Sequence, residues 1–371
     1  MLSLLMAACT RDEPVKPAEP AMTASTPMAR PSTDMAPVEK PKPPEPAWMK
    51  KLDGDMKDVI VKLGQLGGKP IETLSATEAR QQPTPTDAVM AVLKEKGKDT
   101  KPEEVGKQES KDIPVAGGTI PVRITTPKGG KAPYPVIVYY HGGGFVIATN
   151  DTYDASQRAL ANATGAIVVS PEYRKGPESK FPTAHDDAFA AYQWAVKNAA
   201  SFGGDGKKFA VAGESAGGNM ATNVAIMARD KKEKLPVHML LVYPVASSNT
   251  DSKSYQDNAD AKPLNKPMML WFVQQYTKAP TEAKDPRIDL IASARLEGLP
   301  TATVINAEID PLLDDGVALA AKLKAAGVKV EQKTYEGVTH EFFGMGAYVD
   351  DAKSALKYGA GRVKDSLDAV K

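Results

Sequence analysis

Apolar and polar positions follow three different patterns along the chain. In the first, apolar residues recur at steps of three and four, which is the spacing of one face of an amphipathic helix. This stripe comprises Met49, Leu52, Met56, Val59 and Leu63. After it, Ser75 and Glu78 have the spacing of a capping box, so we expect a short second helix that ends before Pro83.

The second pattern is strict alternation. Ile120, Val122 and Ile124 alternate with other residues, and a pair of glycines separates them from residues 111–115. Alternation with a period of two is typical of a strand with one buried face. We therefore predict a pair of antiparallel strands at the start of a sheet.

The third pattern consists of continuous apolar runs separated by helix-like stretches. The runs lie at residues 136–140, 166–170, 209–212, 239–243 and 303–306. The helix-like stretches lie at residues 155–163, 184–199, 217–229 and 317–326. Fully apolar strands that alternate with helices indicate an α/β fold, in which helices cover both faces of a mostly parallel sheet.

Residues 246–296 interrupt this alternation. They are polar at first and then contain an apolar helix candidate at residues 268–276. An insertion at this point would lie over the carboxyl ends of the strands, where α/β sheets bind their ligands. Met268, Met269 and Phe272 are candidates for an apolar pocket wall, because methionine adapts to varied shapes. Ordinary packing among the inserted residues is the alternative interpretation.

Composition separates the N-terminal residues from the rest of the chain. Residues 10–47 contain ten of the 30 prolines and almost no large apolar side chains, so we predict a disordered tether. Residues 1–9 end at the only cysteine, Cys9, and resemble the end of a bacterial lipoprotein signal. This resemblance implies a lipid anchor on Cys9 and a place in the bacterial cell envelope, lipid-anchored or secreted.

The lipoprotein interpretation carries an expectation about the translation start. No Lys or Arg precedes the apolar run, whereas a signal peptide begins with a positively charged region. We therefore expect the true start to lie upstream of Met1. The alternative is an apolar N-terminus with an unmodified thiol at Cys9.

Charge and cysteine content exclude several classes of function. Lys and Arg total 47 against 46 Asp and Glu, and this near-neutral balance gives no reason to expect a nucleic-acid partner. A single cysteine excludes an internal disulfide and a cysteine-based metal site, and we predict neither metal nor cofactor. Imidazole chemistry has only four candidates: His141, His185, His238 and His340.

A serine motif lies between the third apolar run and the helix-like stretch that follows it. The motif is Gly213-Glu214-Ser215-Ala216-Gly217. Gly-x-Ser-x-Gly between a strand and a helix is a nucleophile elbow, a turn so sharp that flanking glycines are needed and the hydroxyl is lifted off the sheet. We therefore predict that Ser215 is a nucleophile.

A triple glycine at the end of another predicted strand supplies the second element of this chemistry. His141-Gly142-Gly143-Gly144 follows the run at residues 136–140. Glycines let the backbone approach a substrate closely and point amide groups at one oxygen. We predict an oxyanion hole formed by the amides of Gly143, Gly144 and Ala216. We expect His141 itself to hold the loop by a hydrogen bond.

A serine nucleophile needs a histidine base, which follows it along the chain in this arrangement. Only His238 and His340 follow Ser215. His238 begins a predicted strand and so lies at the wrong end of the sheet, which makes His340 the predicted base. We expect His185, in a predicted helix, to be solvated or hydrogen-bonded.

The acid should follow the strand predicted at residues 303–306. Glu308 and Asp310 both qualify by position. We choose Asp310 because the proline after it can fix the turn. We expect Asp314 and Asp315 to cap the next helix, whose first turn favours acidic residues.

Taken together, these motifs resemble the hormone-sensitive-lipase-type family of bacterial esterases and lipases over residues 105–365. The matching segments are residues 141–144, 173–174, 177–178, 181–182, 213–217, 310–316 and 340–342. The resemblance implies an α/β-hydrolase fold with a helical cap built from about residues 48–105 and 246–296. It also implies a cofactor-free carboxylesterase that prefers short to medium acyl chains.

Two residues depart from the family pattern. Glu214 replaces an aspartate before the nucleophile, and Glu341 follows the histidine where the family often has glycine. A carboxylate beside His340 could raise the pKa of the histidine or reach the substrate. The departure bears on the pH optimum and the leaving-group preference.

The predicted function is a serine carboxylesterase acting on small-molecule esters. An amidase or a deacetylase acting on envelope or extracellular substrates would use the same triad and stays an alternative. A tethered binding protein without catalysis is a second alternative, against which the complete set of motifs argues. A lipase for long-chain triglycerides would need a large apolar opening. The sequence leaves the oligomeric state open.

Overall fold

The computed structural model describes residues 45–371, and within them the apolar runs form one eight-stranded sheet. The strands are β1 (Lys107–Val115), β2 (Gly118–Thr126), β3 (Tyr134–Tyr140), β4 (Ile167–Pro171), β5 (Gly204–Glu214), β6 (His238–Val242), β7 (Thr301–Ile309) and β8 (Val330–Thr339). Their spatial order is β1-β2-β4-β3-β5-β6-β7-β8. β2 pairs antiparallel with β1 and β4, and the other pairs are parallel.

Ten α-helices accompany the sheet within residues 45–371. They are α1 (Gly54–Gln65), α2 (Ala76–Ala79), α3 (Pro85–Glu95), α4 (Asp154–Thr164), α5 (Thr183–Asn198), α6 (Ala216–Asp230), α7 (Lys253–Asp257), α8 (Lys266–Tyr276), α9 (Leu313–Ala325) and α10 (Asp350–Asp368). Short 3-10 helices lie at Ala47–Lys51, Ile71–Thr73, Ala199–Phe202, Pro280–Lys284 and Phe342–Met345.

Successive residues of the central strands enter two separate cores, one on each face of the sheet. Val136 and Val138 of β3 pack in the core that contains residues of α5, α6 and α9. Ile137 and Tyr139 pack in the other core, with residues of α4 and α10. Because both faces are covered, the strands need apolar residues at every position, as the continuous runs indicated. The predicted mostly parallel α/β sheet is therefore confirmed.

The helix predicted from the stripe at residues 49–63 is wrong in its extent. The stripe is divided between the 3-10 helix Ala47–Lys51 and α1, because Leu52 and Asp53 have extended backbone with ψ of 135° and 155°. The Asp53 amide there donates to the carbonyl of Gly337 at 2.9 Å. A contact with β8, far along the chain, thus overrides the local helical periodicity.

Within residues 45–371, the apolar pattern did not predict α3, α7 or α10. α3 opens with a capping box formed by Thr84 and Asp87, with Pro85 as its first residue, a signal that the sequence carries. α10 buries mainly small residues, so it presents no strong apolar stripe. A Cβ at its Gly359 would lie 2.9 Å from Leu240, which shows how closely α10 approaches the sheet. The capping box at Ser75 is present, but α2 covers only four residues.

The segment that begins with α1 is fixed to the chain that follows β8. The Tyr348 hydroxyl donates to Asp58 Oδ2 at 2.5 Å, across a separation of 290 residues. The Asp350 amide donates to Asp55 Oδ2 at 2.8 Å, across 295 residues. The position of α1 therefore depends on residues that lie almost 300 positions later in the chain.

Part of the predicted organisation lies outside the described residues. Cys9 and residues 10–44 of the predicted tether belong there, and the lipid anchor and the tether both stay predictions. Residues 45–371 form one compact unit. No helix in this part of the chain combines the length and the apolar character that a membrane crossing requires.

Candidate active site

Ser215 lies at the tight turn between β5 and α6. Its φ of 57° and ψ of −119° are strained for a residue with a side chain. A Cβ at Gly217 would collide with the Tyr140 carbonyl of the neighbouring strand, and one at Gly213 would collide with the backbone of Gly217. The Ser215 amide donates to the Val242 carbonyl at 2.9 Å. The neighbouring strands β3 and β6 therefore fix the turn at Ser215, and the Ser215 side chain faces a cleft.

His340 and Asp310 form a buried pair at the ends of β8 and β7. His340 Nδ1 lies 2.7 Å from Asp310 Oδ2, and both side chains are almost fully buried. Burial by itself would lower the pKa of His340, but the negative charge and hydrogen bond of Asp310 and the charge of Glu341 outweigh it. The pKa of His340 is therefore raised. A buried carboxylate on Nδ1 also fixes the ring so that Nε2 is the free nitrogen.

The two acids that qualified by position point in different directions. Asp310 Oδ1 accepts the Leu312 amide at 2.8 Å while its Oδ2 faces His340. Glu308 instead accepts the Gly337 amide at 3.0 Å, and its other oxygen lies 3.4 Å from Nζ of Lys51. Glu308 thus holds the backbone of the loop before the histidine and does not contact the imidazole.

Asp314 and Asp315 do lie in the first turn of α9, but the prediction that they cap this helix is wrong. The helix has no side-chain cap at its N-terminus. The Asp315 carboxylate accepts the amides of Ala246 and Ser247, both at 2.9 Å, and Asp314 accepts the amide of Ser254 at 2.8 Å. Burial raises the pKa of Asp315 to about 8. These acids hold the segment after β6, a long-range role that the local pattern could not reveal.

The glycine loop after β3 has the backbone geometry of an anion site. Gly143 and Gly144 have φ of +96° and +59°, and Gly143 accepts the amides of Val146 and Ile147 through its carbonyl. Among residues 45–371, no turn or loop carbonyl accepts a hydrogen bond from the amides of Gly143, Gly144 or Ala216. These amides are thus available to an oxygen in the cleft.

The side chain of His141 stabilises the glycine loop by a hydrogen bond to its backbone. Its Nδ1 donates to the Gly142 carbonyl at 2.8 Å, and its ring stacks on Tyr173 with centroids 4.3 Å apart. The Tyr173 hydroxyl lies 3.0 Å and 3.1 Å from the carbonyl oxygens of His141 and Gly142. Burial lowers the pKa of His141 to about 4, so this histidine is neutral at physiological pH.

The other two histidines are hydrogen-bonded to residues other than Ser215 and Asp310. His185 is buried, with Nδ1 2.9 Å from the Tyr276 hydroxyl and Nε2 2.9 Å from Asn219 Oδ1. His238 begins β6, and its nitrogens contact the hydroxyls of Ser366 and Thr303. Both rings are satisfied by neutral partners, and burial lowers the pKa of each to about 4.

A cleft of about 620 Å³ lies above Ser215 and His340. Residues of α1, of the chain around α2 and of α8 line it together with the glycine loop. Met268, Met269 and Phe272 are all on its wall. The Phe272 ring lies directly on Gly144, since a Cβ at that glycine would collide with the ring. α8 is joined to the chain before α2 by a hydrogen bond from Trp271 Nε1 to the Leu74 carbonyl at 3.2 Å.

Arg80, which sequence analysis did not single out, connects α2 to the glycine loop. Its Nε donates to the Val146 carbonyl at 2.9 Å, and one terminal nitrogen donates to the Gly176 carbonyl at 2.7 Å. The guanidinium also makes a two-point ion pair with Glu178. Because planar guanidinium groups hold several acceptors at once, Arg80 fixes the loop that presents Gly143 and Gly144.

We expect Arg80→Met to lower kcat for the predicted ester hydrolysis on the order of tenfold, because a loosened glycine loop misplaces the amides of the predicted oxyanion hole. The matched control is Glu178→Gln, which removes the exposed ion pair but keeps both carbonyl contacts, and its effect should be small. Steady-state kinetics of both variants measure the difference. An equal loss in the two variants would contradict the role assigned to the carbonyl contacts.

A buried polar cluster adjoins the histidine, and sequence analysis identified only its two glutamates. Glu214 is fully buried and accepts the hydroxyls of Tyr139 and Tyr243, each at 2.5 Å. Burial and the charge of Glu341 raise the pKa of Glu214 to about 7, against the effect of the two hydrogen bonds. The Tyr153 hydroxyl donates to Glu341 Oε1 at 2.6 Å.

Comparison with known proteins agrees with the fold. The chain matches the family model for the alpha/beta hydrolase fold over residues 137–344. It is 34% identical over 305 residues to the ethyl acetate hydrolase of Pseudomonas putida, which covers 80% of this chain and 93% of that protein. It is 39% identical over 259 residues to the carboxylesterase NlhH of Mycobacterium tuberculosis, which covers 67% of this chain and 79% of that protein.

Solved structures resemble most of the chain. A thermostable esterase from Pseudomonas putida superposes with a TM-score of 0.77 at 33% identity, covering 85% of this chain and 98% of that one. The esterase of the archaeon Pyrobaculum calidifontis gives a TM-score of 0.74 at 36% identity, covering 84% and 98%.

Proposed function

Because the chain belongs to the hormone-sensitive-lipase-type esterases of the alpha/beta hydrolase fold and is a carboxylic ester hydrolase, we propose that Ser215, His340 and Asp310 are its catalytic triad. The observation that carries this proposal is the 2.7 Å contact between His340 Nδ1 and Asp310 Oδ2, beside the cleft that Ser215 and His340 both line. With Nδ1 protonated and held by Asp310, Nε2 can accept the serine proton.

In the proposed reaction, the Ser215 oxygen attacks the ester carbonyl carbon while His340 Nε2 takes the hydroxyl proton. The carbonyl oxygen becomes an oxyanion, which the amides of Gly143, Gly144 and Ala216 stabilise by hydrogen bonds. The intermediate then collapses, the bond to the leaving oxygen breaks, and His340 gives its proton to the alcohol. Water attacks the acyl-enzyme by the same path, which releases the carboxylic acid and restores Ser215.

We propose esters of short to medium acyl chains as substrates. A cleft of about 620 Å³ lies in the range that holds drug-sized molecules. The predicted cap, from about residues 48–105 and 246–296, would supply its upper wall. Within it, Phe272 stands closest to the glycine loop and would therefore limit the acyl chain nearest the reacting carbon.

The test is a series of p-nitrophenyl esters with acetyl, butyryl, octanoyl and palmitoyl chains, with matched p-nitroanilides, hydrolysed by the full chain. We expect kcat/KM to peak at acetyl or butyryl, to fall for palmitoyl, and to be far lower for the anilides. Faster cleavage of the anilides would favour the amidase, and a maximum at palmitoyl would favour a lipase. Either result would overturn the proposed substrate range.

Two variants on α8 test the role of the cleft wall. Phe272→Ala should raise the octanoyl-to-butyryl ratio of kcat/KM on the order of tenfold, because it opens space beside the reacting carbon. Leu270→Ala is the matched control, since Leu270 is 51% exposed on the same helix. If both variants leave the ratio unchanged, Phe272 does not set the acyl length.

A further inference from the structure

Glu341 has an unusual position for a glutamate. It directly follows His340 and has φ of 70° and ψ of 1°, in the left-handed region that glycine occupies most easily. A side chain held in this conformation is typical of sites where the surrounding structure fixes it. Here the Tyr153 hydroxyl donates to Glu341 Oε1 at 2.6 Å and so orients the carboxylate.

The carboxylate faces the nitrogen that Asp310 does not contact. Glu341 Oε1 lies 3.8 Å from His340 Nε2, while Nδ1 is bonded to Asp310 at 2.7 Å. The imidazole therefore lies between two carboxylates. A separation of 3.8 Å is too long for a hydrogen bond, so Glu341 does not capture the Nε2 proton, yet it is short for an electrostatic attraction in a buried site.

The other polar groups around the ring have partners of their own, although the charge of Glu214 also raises the pKa of His340, as a smaller cause than Glu341. Tyr243 packs against the imidazole with centroids 4.4 Å apart, and its hydroxyl is committed to Glu214. Glu214 itself is fully buried between two tyrosine hydroxyls. Lys175, which lines the cleft, pairs with Glu172. Glu341 is therefore the ionisable side chain placed on the Nε2 side of the ring and oriented toward it.

We propose that Glu341 is a positioning residue that stabilises the His340 imidazolium formed during acylation and deacylation, and thereby sets the lower pH limit of activity. The inference rests on the proposed function, since it requires His340 to be the base. During turnover the imidazolium forms while a proton is in transit, from serine to the leaving group in acylation and from water to serine in deacylation. A negative charge on the side of Nε2 lowers the energy of that state relative to the neutral ring.

The same charge has an opposite effect on the resting enzyme. It favours protonated His340 before substrate binds, which agrees with the raised pKa of His340: burial lowers this pKa, but the charge and hydrogen bond of Asp310 and the charges of Glu341 and Glu214 outweigh that effect. Activity requires the neutral ring, so it is lost as the pH falls through that pKa. Removing the Glu341 charge should lower the pKa of His340 and move the acid limb of the pH profile to lower pH, while the plateau rate falls.

The experiment compares Glu341→Gln with the wild-type full chain by the pH dependence of kcat and kcat/KM for p-nitrophenyl butyrate. We expect the acid limb of kcat/KM to move down by roughly half a pH unit or more, and the plateau kcat to fall on the order of threefold to tenfold. Glu336→Gln is the matched control, because it removes the same charge at an exposed position of β8. Glu341→Asp should restore part of both effects.

The outcomes separate this inference from the proposed function. If His340→Gln is inactive and Glu341→Gln has an unshifted profile, the role of Glu341 is wrong while the triad stands. If His340→Gln retains wild-type activity, the proposed base is wrong. Should the Gln variant fail to fold, Glu341→Gly removes the carboxylate in a residue that suits φ of 70°, and an unshifted acid limb in it would also overturn the inference.

Discussion

Ser215→Ala is expected to lower kcat for ester hydrolysis by about 10⁶-fold, the scale of loss when the nucleophile of a serine triad is removed. The residual rate would come from the glycine loop and from substrate binding alone. The measurement is the initial rate with p-nitrophenyl butyrate at high enzyme concentration. A fluorophosphonate probe, which reacts with activated serines, should label the wild type and not the variant.

The physical reason for so large an effect is that no neighbouring group can replace this hydroxyl. Ser215 is lifted by a strained backbone between strands that fix its amide, whereas alanine keeps the fold but offers no nucleophile. Ser293→Ala is a suitable control because Ser293 is exposed and away from the cleft. Probe labelling of Ser215→Ala, or a loss smaller than tenfold, would contradict the proposed nucleophile. A wild type that neither turns over the ester nor reacts with the probe would favour the binding protein.

Asp310→Asn is expected to lower kcat by about 10⁴-fold with little change in KM. An asparagine amide can donate to Nδ1, which would leave the proton on Nε2 and prevent that nitrogen from accepting the serine proton. The asparagine oxygen can still accept the Leu312 amide, so the turn should survive. Thermal unfolding of the variant, compared with the wild type, checks that the fold is intact.

Glu308→Gln is the matched comparison, because Glu308 lies on the same strand and also qualified by position. Its contacts are with the Gly337 amide and Lys51, so we expect kcat within a few-fold of the wild type. Should Glu308→Gln instead lose most of its activity while Asp310→Asn keeps it, the acid of the proposed triad is wrong.

The sheet could be predicted because its central strands are buried on both faces. That environment favours runs of successive apolar residues in the buried parts of β3 to β7, and these runs are visible in the sequence alone. α10 was not predicted because the face that it packs on the sheet consists largely of alanine and glycine. These small residues give a weaker apolar pattern than a stripe of leucine or valine. The end of the 3-10 helix at Ala47–Lys51 was not predicted, because a hydrogen bond to Gly337 of β8, far along the chain, sets the backbone of Asp53.

The candidate site was predictable where its geometry is local. A tight turn around Ser215 needs glycine on both sides, and such needs appear as short motifs. Arg80 and Tyr153 carry no such signal, because each acts through a loop that only the fold brings near. Asp315 illustrates the same limit, since an acid in the first turn of a helix resembles a cap until its partners in a distant segment are known.

The contacts between α1 and the chain after β8 have a consequence for the order of events during synthesis. Gly337, next to the loop that carries His340, receives the Asp53 amide, and Asp55 receives an amide from 295 residues further along. On the ribosome, α1 emerges long before these partners exist, and non-local contacts of this kind form late. The turn at Ser215 can form while β8 and the residues after it, which contact Asp53 and Asp55, are still missing. In a nascent chain the turn at Ser215 can therefore form before His340 has been synthesised, so the proposed triad is assembled only near the end of synthesis.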